Sequence, residues 1–451
     1  MTTPVTPISQ VPSLVAPKVV PGRAYEPLLR KSSLLFHWRA EGCSLRPVTG
    51  ESPTFSRASA GGAVVGANGA LRIPVHSQPR WAMADLDGDG VRETPGLVIE
   101  GQRTNLITYS EALDSWSKTG TPVVTENALL LGAVGLALVS DDDGAALERV
   151  NISPAFTANA VKALRLLVKA GSSQYSTIQL YDNTAAAARL QVVITWTAGV
   201  PSYNTSVGTL IASNLLADGV YELIVQTTSL TAANSHTLYL TPAGGSGGFD
   251  VAATGTTYFG AVQAEDAPFP SSYVKTTGAT ATRSADRLLY SGGFLSALNA
   301  DTDDLTVYAA IHRPTWRALA GDIGSNPRVL ALSTTNPRLS VAFLSSSRAL
   351  FVLMTDAGGT NLSVGPALVG DPALIEVVAQ FKDLTVLPAI ATDVGAGMSS
   401  FTTGATAGFT AFGDALVEVG SLAATSSLFG AVVAAKVARG LRTLQQMREA
   451  L

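Results

Sequence analysis

Cysteine, histidine and charge are scarce in this 451-residue chain. Its single cysteine, Cys43, excludes an internal disulfide and a thiolate metal cluster. Charged residues make up only 14% and the formal net charge is -4, which leaves no electric field to attract phosphate groups. We therefore expect no nucleic-acid partner.

The sequence signatures of common active sites are also missing. The chain has four histidines, and none stands at the spacing of a metal-binding helix. There is no nucleophile elbow, phosphate-binding loop or dinucleotide fingerprint, and no motif requires a cofactor. These absences predict a non-enzymatic protein. Glycoside cleavage needs only two carboxylates brought together in space, so a glycoside-cleaving enzyme is an alternative, with Glu222 and Glu376 as its candidate residues. The simpler interpretation of each is a strand glutamate that faces solvent.

Targeting and membrane-spanning segments are not evident. Residues 1–10 include no basic residue and no apolar run of the length found in a signal peptide. No later apolar stretch reaches the roughly 18 to 20 residues that a bilayer span requires. We expect neither a signal peptide nor membrane insertion.

What the chain does contain is apolar residues, glycine and proline. Hydrophobic residues make up 46%, alongside 42 glycines and 23 prolines, a balance that excludes a disordered chain and a long coiled coil. Its length predicts more than one core. Many short runs, such as residues 164–169, 221–226 and 374–381, have strand composition between glycine-rich turns. The predicted fold class is all-β, with two antiparallel β-sandwiches.

The composition divides the chain into four regions. Residues 1–50 contain a series of prolines, which fix φ and remove amide donors, so we expect an extended arm. The arm is either mobile or lies on another surface as an anchor, and the expected assembly favours the anchor. Residues 51–104 form a turn-rich connecting region, residues 105–286 a jelly-roll sandwich, and residues 287–451 a second sandwich. The arm prolines are Pro4, Pro7, Pro12, Pro17 and Pro21.

A short amphipathic helix is predicted at the end of the second sandwich. Leu441, Leu444, Met447 and Leu451 recur at helical spacing with polar residues between them. We expect this helix to cover one face of the sandwich.

An Asp/Gly loop lies in the connecting region. Carboxylates at alternate positions can surround a calcium ion, and Gly90 permits the sharp turn that such a loop needs. The twelfth position is Gly96, where an EF-hand has a bidentate glutamate, so an ordinary polar turn is the alternative. The candidate ligands are Asp85, Asp87, Asp89, Val91 and Glu93.

Aromatic residues provide candidates for sugar binding. A sugar ring stacks on an aromatic face while planar polar groups bracket its hydroxyls. Tryptophan in a sandwich is more often part of the core, and that alternative stays open. The candidates are Trp116, Trp196, Trp316, Tyr181, Asp182 and Asn183.

The low charge also bears on assembly. A surface rich in Ala, Val, Leu and Gly, with only eight lysines, exposes more apolar area than a monomer normally tolerates. We therefore expect a homo-oligomer, and the sequence does not distinguish a trimer from a dimer or a hexamer.

Two blocks of sequence resemble segments of tailed-bacteriophage virion proteins. The first resembles a block near the start of many such proteins, and the second is similar to their closing segment. Between the blocks, residues 168–171 and 218–221 stand where that family has strands of a carbohydrate-binding-module-like jelly roll. The first block comprises FSRAS (55–59), PRW (79–81), GLVIEGQRTNL (96–106) and YSE (109–111), and the second GAVQAE (260–265), FPSSYV (269–274), TTG (276–278) and TRSAD (282–286).

This resemblance implies a virion surface component, such as a tail fibre, tail-tip or head-fibre protein, assembled in the host cytoplasm. A concanavalin A/laminin G-like sandwich often follows the second block, and residues 305–314 and 429–438 look like its first and last strands. The family also favours a homotrimer, docking of the arm on other virion proteins, and binding to host-surface polysaccharide. The alternatives are a polysaccharide-degrading tail enzyme and a capsid decoration protein without a receptor role.

Overall fold

The computed structural model describes residues 34–49, 51–84, 91–298, 304–312, 328–336, 338–343, 349–356, 359–367, 374–382, 385–392, 412–419, 430–440, 442 and 444–449. Within these residues, no helix is long and apolar enough to cross a membrane.

The described residues form antiparallel strands and a short terminal helix. The strands of the first half are β1 (Leu34–Arg39), β2 (Pro53–Ser56), β3 (Val64–Val65), β4 (Leu71–Arg72), β5 (Trp81–Ala84), β6 (Thr94–Ile99), β7 (Arg103–Asn105), β8 (Ser117–Thr119), β9 (Val123–Leu131), β10 (Val134–Asp141), β11 (Arg149–Ile152), β12 (Ala163–Ala170), β13 (Tyr175–Asp182), β14 (Ala187–Thr197), β15 (Val200–Val207), β16 (Thr209–Leu215) and β17 (Tyr221–Gln226). The remaining elements are β18 (His236–Thr241), β19 (Gly255–Glu265), β20 (Ala281–Arg283), β21 (Arg287–Ser291), β22 (Leu305–His312), β23 (Arg328–Leu332), β24 (Arg338–Phe343), β25 (Ala349–Asp356), β26 (Gly359–Ala367), β27 (Leu374–Lys382), β28 (Thr385–Thr392), β29 (Leu416–Val419), β30 (Gly430–Arg439) and helix α1 (Leu444–Glu449).

These strands build two sandwiches, as the alternation of apolar residues predicts, and the all-β fold class is confirmed. The base sandwich consists of sheet I, in the order β28-β27-β22-β30-β6-β5 with β1 also on β30, and sheet II, in the order β2-β21-β29-β23-β24-β25-β26. The inserted sandwich consists of sheet III, β16-β17-β12-β19-β10-β9, and sheet IV, β15-β14-β13-β18-β11-β8. Each pair of sheets encloses its own hydrophobic core.

The two sandwiches are not arranged one after the other along the chain. Strands β1, β2, β5 and β6 belong to the base sandwich, whose other strands follow residue 286. The sandwich between them is therefore an insertion. The chain enters it through β7 and leaves it through β20, and these two strands pair with each other, Arg103 opposite Arg283.

This topology corrects two of the expected boundaries. Residues 34–39, placed in the extended arm, form β1 in sheet I, and Phe36 and Trp38 are fully buried in the base core. Their alternation with polar neighbours fits a strand with one face in the core. The region 51–104, expected to be a connection, supplies β2, β5 and β6. Residues 1–33 lie outside the described part of the chain.

A hairpin of the connecting region covers the outer face of sheet III. Strands β3 and β4 pair with each other, and Leu71 packs with Leu136 and Leu167, which point away from the core between the two sheets. The amide of Ala133 donates to the carbonyl of Leu71 at 3.0 Å. Gly132 permits this approach, because its φ of +67° and the proximity of the Leu71 carbonyl leave no room for a Cβ atom.

The predicted C-terminal helix is present as α1. Met447 is fully buried against the outer face of sheet I, together with Leu34 and Tyr308. The Nζ of Lys436 donates to the carbonyl of Met447 at 2.7 Å, which fixes the helix to β30.

Candidate functional site

Two segments of the chain, residues 55–111 and 260–286, meet at the root of the inserted sandwich. We call the first of these segments the first block and the second the second block. Arg57 and Arg80 from the first block and Arg283 from the second surround the carboxylates of Glu100 and Asp286, and all five side chains are fully buried. Arg57 Nη1 lies 3.0 Å from Asp286 Oδ1, and Arg80 Nη1 lies 2.8 Å from Glu100 Oε2. Arg80 also pairs with Asp286. We call these five residues the root network.

Backbone groups complete the root network. Arg57 Nη2 donates to the carbonyls of Val75 and Gln78 at 2.8 and 2.9 Å, and Arg283 Nη2 donates to the carbonyl of Gly101 at 2.6 Å. These acceptors offset the excess of arginines over carboxylates.

The pKa values of the network follow from burial and ion pairing together. Burial lowers the pKa of Arg283 to about 10, although Glu100 and Asp286 oppose it. For Arg80, burial acts to lower the pKa, but Asp286 and Glu100 outweigh it and raise the pKa above its ordinary value.

The root network also joins the two sandwiches. Ser272 follows the last long strand of the inserted sandwich, and its backbone amide donates to Glu100 at 3.2 Å while its hydroxyl accepts from Arg80 at 2.8 Å. Because these charges are enclosed, the network has no access to a substrate, and its effect is to fix the inserted sandwich to its base. The five residues of the root network are therefore structural.

The tryptophan candidates are not available for stacking on a sugar. Trp116 and Trp196 are only 4% and 6% exposed and belong to the core of the inserted sandwich. Their indole nitrogens donate to the carbonyl of Tyr109 at 2.8 Å and to the hydroxyl of Ser176 at 3.0 Å. Core burial is thus the correct alternative for both. Trp316 lies outside the described residues.

The loop at Tyr181 divides into a buried and a partly exposed portion. Asp182 is fully buried and accepts hydrogen bonds from Arg189 at 2.8 Å, Asn234 at 2.9 Å and the amide of Ala185 at 2.9 Å. Burial acts to raise the pKa of Asp182, but these hydrogen bonds outweigh it and lower the pKa to about 2. Asp182 therefore organises the loop and is not placed to bind a sugar.

The exposed Asn183 donates to Thr237 Oγ1 at 2.8 Å. Tyr181 is partly exposed and alternates with the core residue Leu180, so its side chain lies on the outer face of sheet IV.

That outer face carries a row of planar polar side chains. Asn151 stands opposite Tyr239, Tyr239 opposite Gln179, and Gln179 opposite Gln191, so the row crosses β11, β18, β13 and β14. Their neighbours along each strand, including Val150, Ile178, Leu238 and Val192, point into the core. We call Arg149, Asn151, Gln179, Tyr181, Gln191 and Tyr239 the polar face.

A glycine-rich loop borders the polar face. Gln179 Nε2 donates to Gln191 Oε1 at 2.9 Å, and Gln191 Nε2 reaches the carbonyl of Gly247 at 3.5 Å. Gly244 and Gly248 approach so closely that a Cβ on Gly244 would collide with the Gly248 carbonyl. Phe249, 37% exposed, follows this turn. Asn151, Gln191 and Tyr239 are partly exposed, whereas Gln179 between them is only 7% exposed. Sheet and loop together therefore present two amides, a phenol and an aromatic ring toward solvent.

Composition singles out the tryptophans and the loop at Tyr181 and does not indicate this row. In β11, β13, β14 and β18, polar residues alternate with core residues. These polar residues form a row only when the pairing between the strands is known.

The two glutamates considered for glycoside cleavage lie in different sandwiches. Glu222, in sheet III, pairs with Arg165 and accepts from Asn214 at 3.1 Å. Glu376, in sheet I, accepts from the hydroxyl of Tyr308 at 2.6 Å. They are therefore not a pair of opposed carboxylates.

Glu376 lines a cleft of about 450 Å³ on the outer face of sheet I. Ala310 and Ala434 also line this cleft, and Arg39 and Lys436 contribute cationic side chains to it. Burial and, to a smaller degree, Arg39 lower the pKa of Lys436 to about 8, while Glu376 opposes the shift.

The calcium loop is described only at its end. Asp85, Asp87 and Asp89 lie outside the described residues, Val91 is 57% exposed, and the exposed Glu93 lines the cleft beside Glu376. Among the residues that the structure describes, no three acidic, histidine or cysteine side chains are grouped to hold a metal ion. The calcium site stays a prediction.

Comparison with known proteins adds little to these observations. No protein-family profile matches the chain, and no curated protein matches it. Among solved structures, the chain is similar to domains LG4-5 of the mouse laminin alpha1 chain, with 10% sequence identity, 71% of this chain and 90% of that chain covered, and a TM-score of 0.22. A superposition this loose supports no conclusion about function, and the sandwich architecture is shown by the chain's own sheets.

Proposed function

We propose that this chain is a non-enzymatic structural component of a tailed-bacteriophage virion, attached to the tail or the head, and that its polar face binds glycan on the host surface. The observation that carries the binding role is the row of Asn151, Tyr239, Gln179 and Gln191 across sheet IV. Amide groups and a phenol at the spacing of neighbouring strands suit the hydroxyls and the apolar ring face of a sugar.

Two observations support the structural role. The first is the resemblance of residues 55–111 and 260–286 to blocks of virion proteins. The second is the root network, in which these same blocks fix the inserted sandwich to its base. Such an attachment suits a module that must be presented in a fixed orientation.

The proposal extends to assembly. The protein is a homotrimer in the virion, assembled in the host cytoplasm, and the segment preceding β1 docks on other virion proteins. Removal of residues 1–33 keeps every described strand, since β1 begins at Leu34. Particles made with this shortened chain should lack the protein, as measured by mass spectrometry of purified virions. Normal copy number would contradict the docking role.

Binding is tested with the full chain on a glycan array of bacterial surface oligosaccharides. Tyr239→Ala should abolish the signal of every hit, because it removes the central ring of the polar face. Tyr258→Ala is the matched control, since Tyr258 lies on β19 of the opposite sheet. Equal loss in both variants, or no hit at all, would contradict glycan binding at this face. Release of reducing ends from any hit would show the tail-enzyme alternative instead.

A further inference from the structure

Arg149 differs from the other arginines of the inserted sandwich. Arg165 pairs with Glu222, Arg189 with Asp182, and Arg103 with Glu265. For Arg149, no carboxylate lies within ion-pair distance among the described residues, and its Nε is buried without a hydrogen-bond partner there.

Two aromatic rings contact the guanidinium group of Arg149. Its Cζ lies 3.8 Å from the centroid of the Tyr239 ring and 5.1 Å from that of Phe249. Rings stacked on a guanidinium leave its N–H donors to form hydrogen bonds in its plane, in the fork that matches a carboxylate or phosphate. The side chain is thus held in position by the same tyrosine that stands at the centre of the polar face.

Burial of this charge has a cost that the described residues do not offset. Burial lowers the pKa of Arg149, and Tyr239 opposes the shift. Arginine nevertheless stays protonated at neutral pH. A charge in such surroundings is stabilised by an anionic partner.

We propose that the ligand of the polar face is an acidic glycan, whose carboxylate, sulfate or phosphate group binds Arg149 while the amides of Asn151 and Gln191 bind its hydroxyls. This inference rests on the proposed function and adds the chemical class of the ligand.

The first test compares ligands and needs no variant. The full chain is screened against oligosaccharides bearing uronate, sialate, sulfate or phosphate and against neutral ones, and each acidic hit is then neutralised by carboxyl reduction or removal of its ester group. Loss of a charge-assisted hydrogen bond predicts a rise in Kd of about 10- to 100-fold on neutralisation. Rising salt should weaken binding of the acidic form only.

The outcomes separate the two proposals. Neutral oligosaccharides that bind as tightly as their acidic counterparts would overturn the acidic ligand and leave glycan binding in place. Absence of binding to every member of the panel would overturn both.

Variants supply the second test. Arg149→Gln should weaken the acidic hit by about 10- to 100-fold, down to the affinity of its neutralised form, because it removes a charged donor. The affinity of Arg149→Lys for the acidic hit should lie between those of the unaltered chain and Arg149→Gln, since lysine keeps the charge and lacks the forked pair of donors. Arg72→Gln, at an exposed arginine on β4, is the matched control. If Arg149→Gln bound the acidic hit like the unaltered chain, the inference would be wrong; if it failed to fold, the ligand comparison would decide alone.

Discussion

The two outer faces of the inserted sandwich have opposite character. The outer face of sheet III carries Leu136 and Leu167 and is covered by the β3–β4 hairpin. The outer face of sheet IV carries amides, tyrosines and Arg149, which are partly exposed except for Gln179, and a glycine-rich loop borders it. An apolar face must be covered to be stable in water, whereas a polar face can stay open. Under the proposed function, the covered face serves attachment of the inserted sandwich and the open face serves recognition.

Removal of a root-network carboxylate tests the attachment side most severely. Asp286→Ala leaves Arg57, Arg80 and Arg283 with Glu100 as their remaining carboxylate, and breaking a buried ion pair costs about 3 to 5 kcal/mol. Unfolding in urea measures the loss. Glu41→Ala, which breaks an exposed pair with Arg39, should cost less than about 1 kcal/mol. Similar losses for both variants would contradict the structural role of the network.

A pair of truncations compares the two faces directly. Leu71→Ala on the covered side should lower the free energy of unfolding by about 2 to 5 kcal/mol, since Leu71 is fully packed in the apolar cluster. Gln191→Ala on the open side loses the hydrogen bond from Gln179 and the long one to the Gly247 carbonyl, and should cost about 1 kcal/mol. Equal costs would remove the contrast between the faces.

Two buried aspartates, one in each sheet of the inserted sandwich, should give the stability of the fold opposite dependences on pH. In sheet IV, hydrogen bonds lower the pKa of Asp182 to about 2 despite its burial, so its ionised form stabilises the fold. This contribution is present above about pH 4 and is lost as the pH falls toward 2. Asp182→Asn should therefore cost about 2 kcal/mol at pH 7, as measured by urea unfolding. No cost at pH 7 would contradict the assignment.

In sheet III, burial and the neighbouring Glu148 and Asp143 raise the pKa of Asp141 to about 6. Its ionised form is therefore disfavoured in the folded state, and stability should fall as the pH rises from about 4 to about 6. Asp141→Asn should flatten that part of the stability profile and raise the free energy of unfolding at pH 7, by at most about 3 kcal/mol. A profile of unchanged slope would show that Asp141 is not the group responsible.

The fold class could be predicted from local sequence patterns. The features that could not be predicted depend on pairing between strands that are distant in the sequence. The alternation of core-facing residues in β12 and β17 can be seen in the sequence itself. The helical spacing of apolar residues around Met447 can be seen there as well. The insertion is different, because it depends on Trp38 meeting strand β30 some 400 residues away, a pairing that no local pattern encodes.

The candidate site shows the same limit. Trp196 and Tyr239 are both aromatic residues in alternating strands, and only the phase of each strand decides which one enters the core. Composition singled out the tryptophan, while the register placed Tyr239 in the polar row.

Hydrogen–deuterium exchange of the full chain, with and without the tightest-binding oligosaccharide from the array, tests the central claim most directly. Slower exchange on binding is expected in β11, β13, β14, β18 and residues 244–250, with no change in residues 63–73 or β12. Slower exchange confined to sheet III or its covering hairpin would contradict the assignment of the polar face as the recognition surface.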